Sequence, residues 1–259
     1  MPCADTSSPE EYTAAVERVA GRALGVLMDG RGTAVPVGFA PDSPATPRRS
    51  SPEPVDRVDP AADLPGLRIL GSDAFAPHVL RDVRPDAAEV EAAARAFVVF
   101  PPESLGGTPR TRWILAWRDW ATAWTLARFG LSVDVPAPGD GHEVADARWW
   151  QSWSVHMGQL SSLALPGLDG PVHRAARENV TALARGTTRA MLRRDHRTAA
   201  RIARWLAYTD AAGAPSPLES EPLLRHIRLF GGGSTRTVLD TRLAQHVSGR
   251  QRVSGKRIP

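Results

Sequence analysis

Arg185, Arg189, Arg193, Arg197 and Arg201 recur every fourth residue, with Arg194 and Arg204 alongside. Between Arg174 and Arg204 there are nine arginines and only two acids, Glu178 and Asp195. Guanidinium is a permanently charged planar fork that grips phosphate or carboxylate through two parallel N–H···O bonds. On one helix face, like charges at i,i+4 cost about 0.2–0.5 kcal/mol per pair, so four stacked pairs lose roughly 1–2 kcal/mol. A ladder of this kind calls for a negative partner. The phosphate backbone of a nucleic acid is one candidate, and carboxylates elsewhere in the chain are the other.

Charge distribution bears on the choice. The chain has 259 residues and a formal net charge of +4. Residues 1–146 carry 14 basic and 21 acidic side chains, and residues 147–259 carry 18 and 7. A nearly neutral protein is thus two halves of opposite sign. This asymmetry points to a polyanion for the basic half, duplex DNA ahead of RNA, or to attraction between the halves. All but one of the basic residues are arginine, and Ala, Gly and Pro are plentiful. A GC-rich coding sequence gives the same bias, so the placement of an arginine says more than its identity.

Tryptophan forms the second pattern. Trp113, Trp117, Trp120 and Trp124 are spaced 4, 3 and 4 apart, which confines them to about 60° of one helix face. Trp149, Trp150 and Trp153 follow on the next expected helix without so tight a stripe. Four exposed indoles would form a patch of roughly 600–1,000 Å², more than a monomer usually shows to water. The stripe is therefore covered: by the protein's own core, by a second copy in a homo-oligomer, or by a planar aromatic substrate or cofactor. That last option describes a small-molecule enzyme with a Trp-lined pocket.

Other chemistry is thinly marked. Asp134, Asp140, His142, Glu143 and Asp146 fall in a loop after an expected strand, where a metal or an acid/base pair could sit, but the same residues are ordinary turn and capping material. Gly231, Gly232 and Gly233 followed by Ser234 and Thr235 could cradle a phosphate at a helix start, or simply form a loop and cap. Cys3 is the one cysteine, and the histidines show no ligand spacing, so no metal site is expected. The longest apolar run, Ala96 to Phe100, is too short to cross a bilayer, and the N-terminus lacks a signal-like apolar core. A cytoplasmic protein with no membrane partner is the expectation.

The elements that would position these residues read as α+β and predominantly helical, with small β elements in the N-terminal half. Helices are expected over residues 10–22, 87–96, 112–129, 145–164, 171–194, 198–208 and 234–247. Strands are expected at 24–28, 33–39, 67–70, 97–100, 131–135 and 225–230, with Asp29-Gly30 as a hairpin turn. Residues 40–65 hold seven prolines and almost nothing aliphatic, the composition of a linker or loop. An acidic α+β region at 1–140 and a basic helical region at 141–259, with a flexible tail from about 248, complete the layout. Residues 181–195 resemble loosely a helix-turn-helix, with Ala182 and Gly186 at the turn and Leu192 between helices, although Thr181 and Arg185 sit where that motif wants apolar residues. They also fit one long amphipathic helix.

Overall fold

The computed structural model describes residues 8–29, 60–102, 106–139 and 146–254. These form eleven α-helices: α1 (Pro9–Asp29), α2 (Pro60–Leu70), α3 (Ser72–Arg81), α4 (Ala87–Val99), α5 (Pro109–Arg128), α6 (Trp150–Gln159), α7 (Pro171–Glu178), α8 (Val180–Leu192), α9 (His196–Ala211), α10 (Ser220–Phe230) and α11 (Thr235–Ser254). Short 3-10 turns at Ala147–Trp149 and Ser161–Leu163 flank α6.

No β-strand occurs among the described residues, which corrects the α+β expectation to all-α. The expected strand at 24–28 is the last turns of α1, that at 67–70 ends α2, and that at 97–100 ends α4. Residues 131–135 are irregular, and 225–230 belong to α10. The expected strand at 33–39 and Gly30 of the hairpin turn lie outside the described residues. Short apolar runs cannot be divided between strand and buried helix by periodicity alone, and those at 24–28, 67–70, 97–99 and 225–230 lie in longer helices.

Local signals that end helices fared better. Thr108 Oγ1 accepts from the Thr111 amide at 3.2 Å with Pro109 at the first turn of α5, and Asp86 caps α4 through Ala88 N at 3.0 Å. α11 continues through Ser254, past the expected start of a tail near 248.

A single hydrophobic core runs from Val19 on α1 to Val247 on α11, so residues on both sides of position 140 share it. α9 lies at its centre, packed against α6, α8, α10 and α11. From Ala199 to Thr209 every α9 side chain except Arg201 is buried, as expected of a helix surrounded on all faces. This geometry sends the helix's own arginines into the interior.

The tryptophan stripe is part of this core. Trp117 is buried, Trp113 and Trp120 stack on it edge-to-face at centroid separations of 6.2 and 5.4 Å, and Trp124 is half-buried. Trp153 is also buried, Trp150 is half-buried, and Trp149 is exposed. Indole Nε1 of Trp113 and of Trp117 is buried without an acceptor among the described residues.

Candidate functional site

The arginine ladder is not one face of one helix. α8 stops at Leu192, the chain turns through Arg193, Arg194 and Asp195, and α9 starts at His196. The turn is a Schellman motif: Arg194 N donates to Met191 O at 2.9 Å and Asp195 N to Ala190 O at 2.9 Å. Asp195 then caps α9 by accepting from Thr198 N at 3.0 Å. The helix-turn-helix likeness fails in its details. Gly186 lies inside α8 and Leu192 is exposed rather than packed between helices. Gly186 has another role, because a Cβ there would run into Ser154, so its absence lets α8 lie directly on α6.

The seven arginines divide into two groups. Arg185, Arg193, Arg194 and Arg197 are exposed and Arg189 is half-buried, and none of the five forms a salt bridge among the described residues. Arg204 is buried, and Arg201 sits at the edge of the interior.

Around Arg204 the helices build a closed ionic ring. Its Nη1 lies 2.7 Å from Asp73 Oδ1 on α3 and 2.8 Å from Asp240 Oδ1 on α11. Arg236, one turn before Asp240, contacts both: its Nε donates to Asp240 Oδ2 at 3.1 Å and its Nη2 to Asp73 Oδ2. Arg201 Nε lies 3.8 Å from Asp240 Oδ2 and has no hydrogen-bond acceptor among the described residues. Beside the ring, Arg68 on α2 holds Asp119 on α5 in a fork, with Nη1–Oδ1 at 2.5 Å and Nη2–Oδ2 at 2.8 Å. Arg118 Nη2 donates to the carbonyl of Ile69.

Electrostatics follow from this inventory. Burial disfavours the Asp240 carboxylate, but Arg236, Arg204 and Arg201 more than reverse that and hold it below the usual range. Burial likewise opposes the Arg236 charge, and Asp240 and Asp73 overcome it, so its guanidinium is held even more firmly protonated than usual. Arg201 is less well matched. Burial and then Arg236 push it down to about 10. Arg118 is pushed down for the same two reasons, in the same order.

Of the remaining sequence candidates, Asp134 is exposed in an irregular stretch, and Asp146, Ser234 and Thr235 hold structural roles. Asp146 accepts from Arg148 N at 3.0 Å and pairs with its side chain, while 140–145 lie outside the described residues. At the start of α11, Ser234 Oγ donates to Glu17 Oε1 at 3.2 Å and Thr235 N to Glu17 Oε2 at 2.8 Å. A carboxylate from α1 thus fills the position that a phosphate would take. No cluster of three metal-type ligands occurs among the described residues, and none of their helices is long and apolar enough to cross a membrane.

The sequence reading missed Asp73, Arg118, Arg236 and Asp240. The last two had a legible signal, an Arg–Asp pair at i,i+4 within one helix. Arg118-Asp119 also had one, as a charged pair set inside a tryptophan stripe. Comparison with protein-family models, with curated proteins and with solved structures returns no match. Function therefore rests on the geometry.

Proposed function

We propose that the protein binds nucleic acid, with duplex DNA preferred, through Arg185, Arg189, Arg193, Arg194 and Arg197 around the α8–α9 turn. The observation that carries this reading is the division of the ladder. Arg204 in the interior is matched with two aspartates, whereas these five, four exposed and Arg189 half-buried, have no carboxylate on them among the described residues. Arg194 adds support. Its φ is 58°, a left-handed conformation that costs a branched or long side chain about 1–2 kcal/mol and that glycine adopts freely. Gly130 and Gly213 occupy the equivalent position after α5 and α9. An exposed arginine kept where glycine is the cheaper residue suits a side chain used for contact.

The test is a titration of the whole chain with duplex DNA between 50 and 200 mM salt. Five neutralised phosphates give a slope of log K against log salt of roughly −4.5, and an affinity loss of roughly 500-fold across that range. Replacing Arg193, Arg194 and Arg197 by Gln should flatten the slope to roughly −2. Absence of binding at 50 mM salt, or a slope unchanged by the triple substitution, rejects the reading.

A second reading has its own observation. An apolar groove beside the same turn is lined by Met191, Leu192, Leu218, Leu223 and Phe230, with Leu192 82% and Phe230 64% exposed. Association of two copies over this groove would cover it. A mass that stays monomeric in light scattering at high protein concentration removes that reading.

A further inference from the structure

A cleft of about 200 Å³ opens between α5, the end of α6, α9 and α11, and three guanidinium groups line it: Arg118, Arg201 and Arg236. Ser162 completes the wall. It is one of the residues lining the cleft, its side chain is buried, and its Oγ has no hydrogen-bond partner among the described residues. Thr111 and Gln159 are exposed at the rim, and Ile114 and Leu115 supply an apolar side. Every polar side chain on the wall can donate a hydrogen bond, and no carboxylate among the described residues lines it.

Charge in and behind the wall is unbalanced. With Arg68 and Asp119 paired to one another, Arg118, Arg201, Arg204 and Arg236 face only Asp73 and Asp240 among the described residues, a surplus of two positive charges there. Guanidinium groups withdrawn from water without counter-charge are costly, and the fold tolerates that where an anion completes the site. Burial first, and then the neighbouring charge of Arg236, lower both Arg201 and Arg118.

We propose that this cleft binds a doubly charged phosphoryl group, as free phosphate or as the head of a small phosphomonoester. Such a group carries about −1.5 to −2 charges at neutral pH and three strong acceptor oxygens, which matches both the surplus and the all-donor wall. The volume is below the roughly 300–1,000 Å³ typical of sites for larger ligands, so a nucleotide does not fit. Ser162 donates to one phosphate oxygen, Arg201 and Arg118 hold the others, and Arg236 anchors the site to the ionic ring. This site is independent of the solvent-facing arginines and stands or falls apart from nucleic-acid binding.

The experiment uses the whole chain at constant ionic strength set with chloride, titrated with inorganic phosphate and with glycerol phosphate by calorimetry and thermal unfolding. Either phosphate should bind and raise the melting temperature while chloride does not. Tighter binding of glycerol phosphate identifies an ester, and tighter binding of inorganic phosphate the free ion. Ser162→Ala removes a hydroxyl that has no partner, so ligand-free melting stays unchanged while affinity falls roughly tenfold. Arg201→Gln keeps the Asp73–Arg204–Asp240–Arg236 ring and should weaken binding at least as much. Arg193→Gln with Arg197→Gln should leave it intact. Stabilisation by phosphate no greater than by chloride, or wild-type affinity in both cleft variants, overturns the proposal.

Discussion

Arg204 and Arg193 belong to the same run of sequence and have opposite fates. Arg204 lies inside the protein between two aspartates, while Arg193 caps the end of α8 in water. The difference begins in their neighbours along the chain, since Arg204 is set among Ile202, Ala203, Trp205 and Leu206, and Arg193 beside Arg194 and Asp195. It is completed because α9 is covered on every face and α8 is not, and because Asp73 and Asp240 come from α3 and α11 to meet the covered arginines. An arginine ladder is thus two things joined end to end, a structural ring and an unmatched surface.

The largest effect that could break this division is the removal of Asp73. Asp73→Ala leaves Arg204 and Arg236 with one carboxylate between them in the interior, and deleting one partner of a buried ion pair costs about 3–5 kcal/mol. For a chain of this size that lowers the melting temperature by roughly 6–20 °C. Arg193→Ala should change stability by less than about 0.5 kcal/mol. Urea unfolding of both variants checks the contrast, and similar losses would show that the two groups of arginines are not distinct.

Acid should separate the interior into stronger and weaker parts. His78, buried against Phe75 and Phe129, has its pKa lowered by burial from 6.5 to about 4. A histidine that resists protonation in the folded state contributes stability above pH 6.5, and that contribution is lost as pH falls toward 4. The loss is on the order of 2–3 kcal/mol, and His173, lowered mainly by its own burial, acts in the same direction. Asp240, held below its ordinary range, keeps the ionic ring intact until the pH falls lower still. His78→Phe should flatten most of the decline between pH 6.5 and 4. A variant that declines as steeply as the wild type would assign the acid sensitivity to His173 or to the ring instead.

Much of the helical framework could be read from local chemistry, and the ring could not. Thr108, Pro109 and Gly130 placed α5 to within a few residues because caps are local, and the tryptophan period placed its buried face. Residues 60–65 looked like part of a linker for their prolines, yet they open α2, with Pro65 inside the helix. Arg225 to Phe230 passed for a strand, although Leu223, Leu224 and Ile227 bury at helical spacing. Arg204 looked like a surface residue because its partner Asp73 belongs to a distant helix, and no short window contains both. Ser162 was invisible for the same reason: a hydroxyl becomes a ligand candidate only when it lines a cleft together with three arginines from other helices.

The unmatched surface has its own support, which Gly186 tests. Its missing side chain lets α8 rest on Ser154 of α6, so Gly186→Ala forces the two helices apart and should cost about 1–3 kcal/mol. Adding Ser154→Gly should restore most of that stability by vacating the space the new methyl requires. If the single variant is as stable as wild type in thermal unfolding, α8 is less firmly seated than the core, and the division between ring and surface is really one between packed and loose helices.

The smallest change is the most pointed. Arg194→Gly puts into the left-handed turn the residue found after α9, where Gly213 makes the same pair of hydrogen bonds. Relief of the backbone conformation should stabilise the protein by about 1 kcal/mol, less what glycine adds to the entropy of the unfolded chain. Nucleic-acid affinity should move the other way, with the salt slope losing about one phosphate's worth, roughly 0.9. Opposite signs from one substitution are hard to obtain from a residue that only shapes its turn. A variant that gains stability and binds DNA with an unchanged slope would mean that Arg194 is a conformational cost with no return, and would remove the strongest single residue from the surface's claim to function.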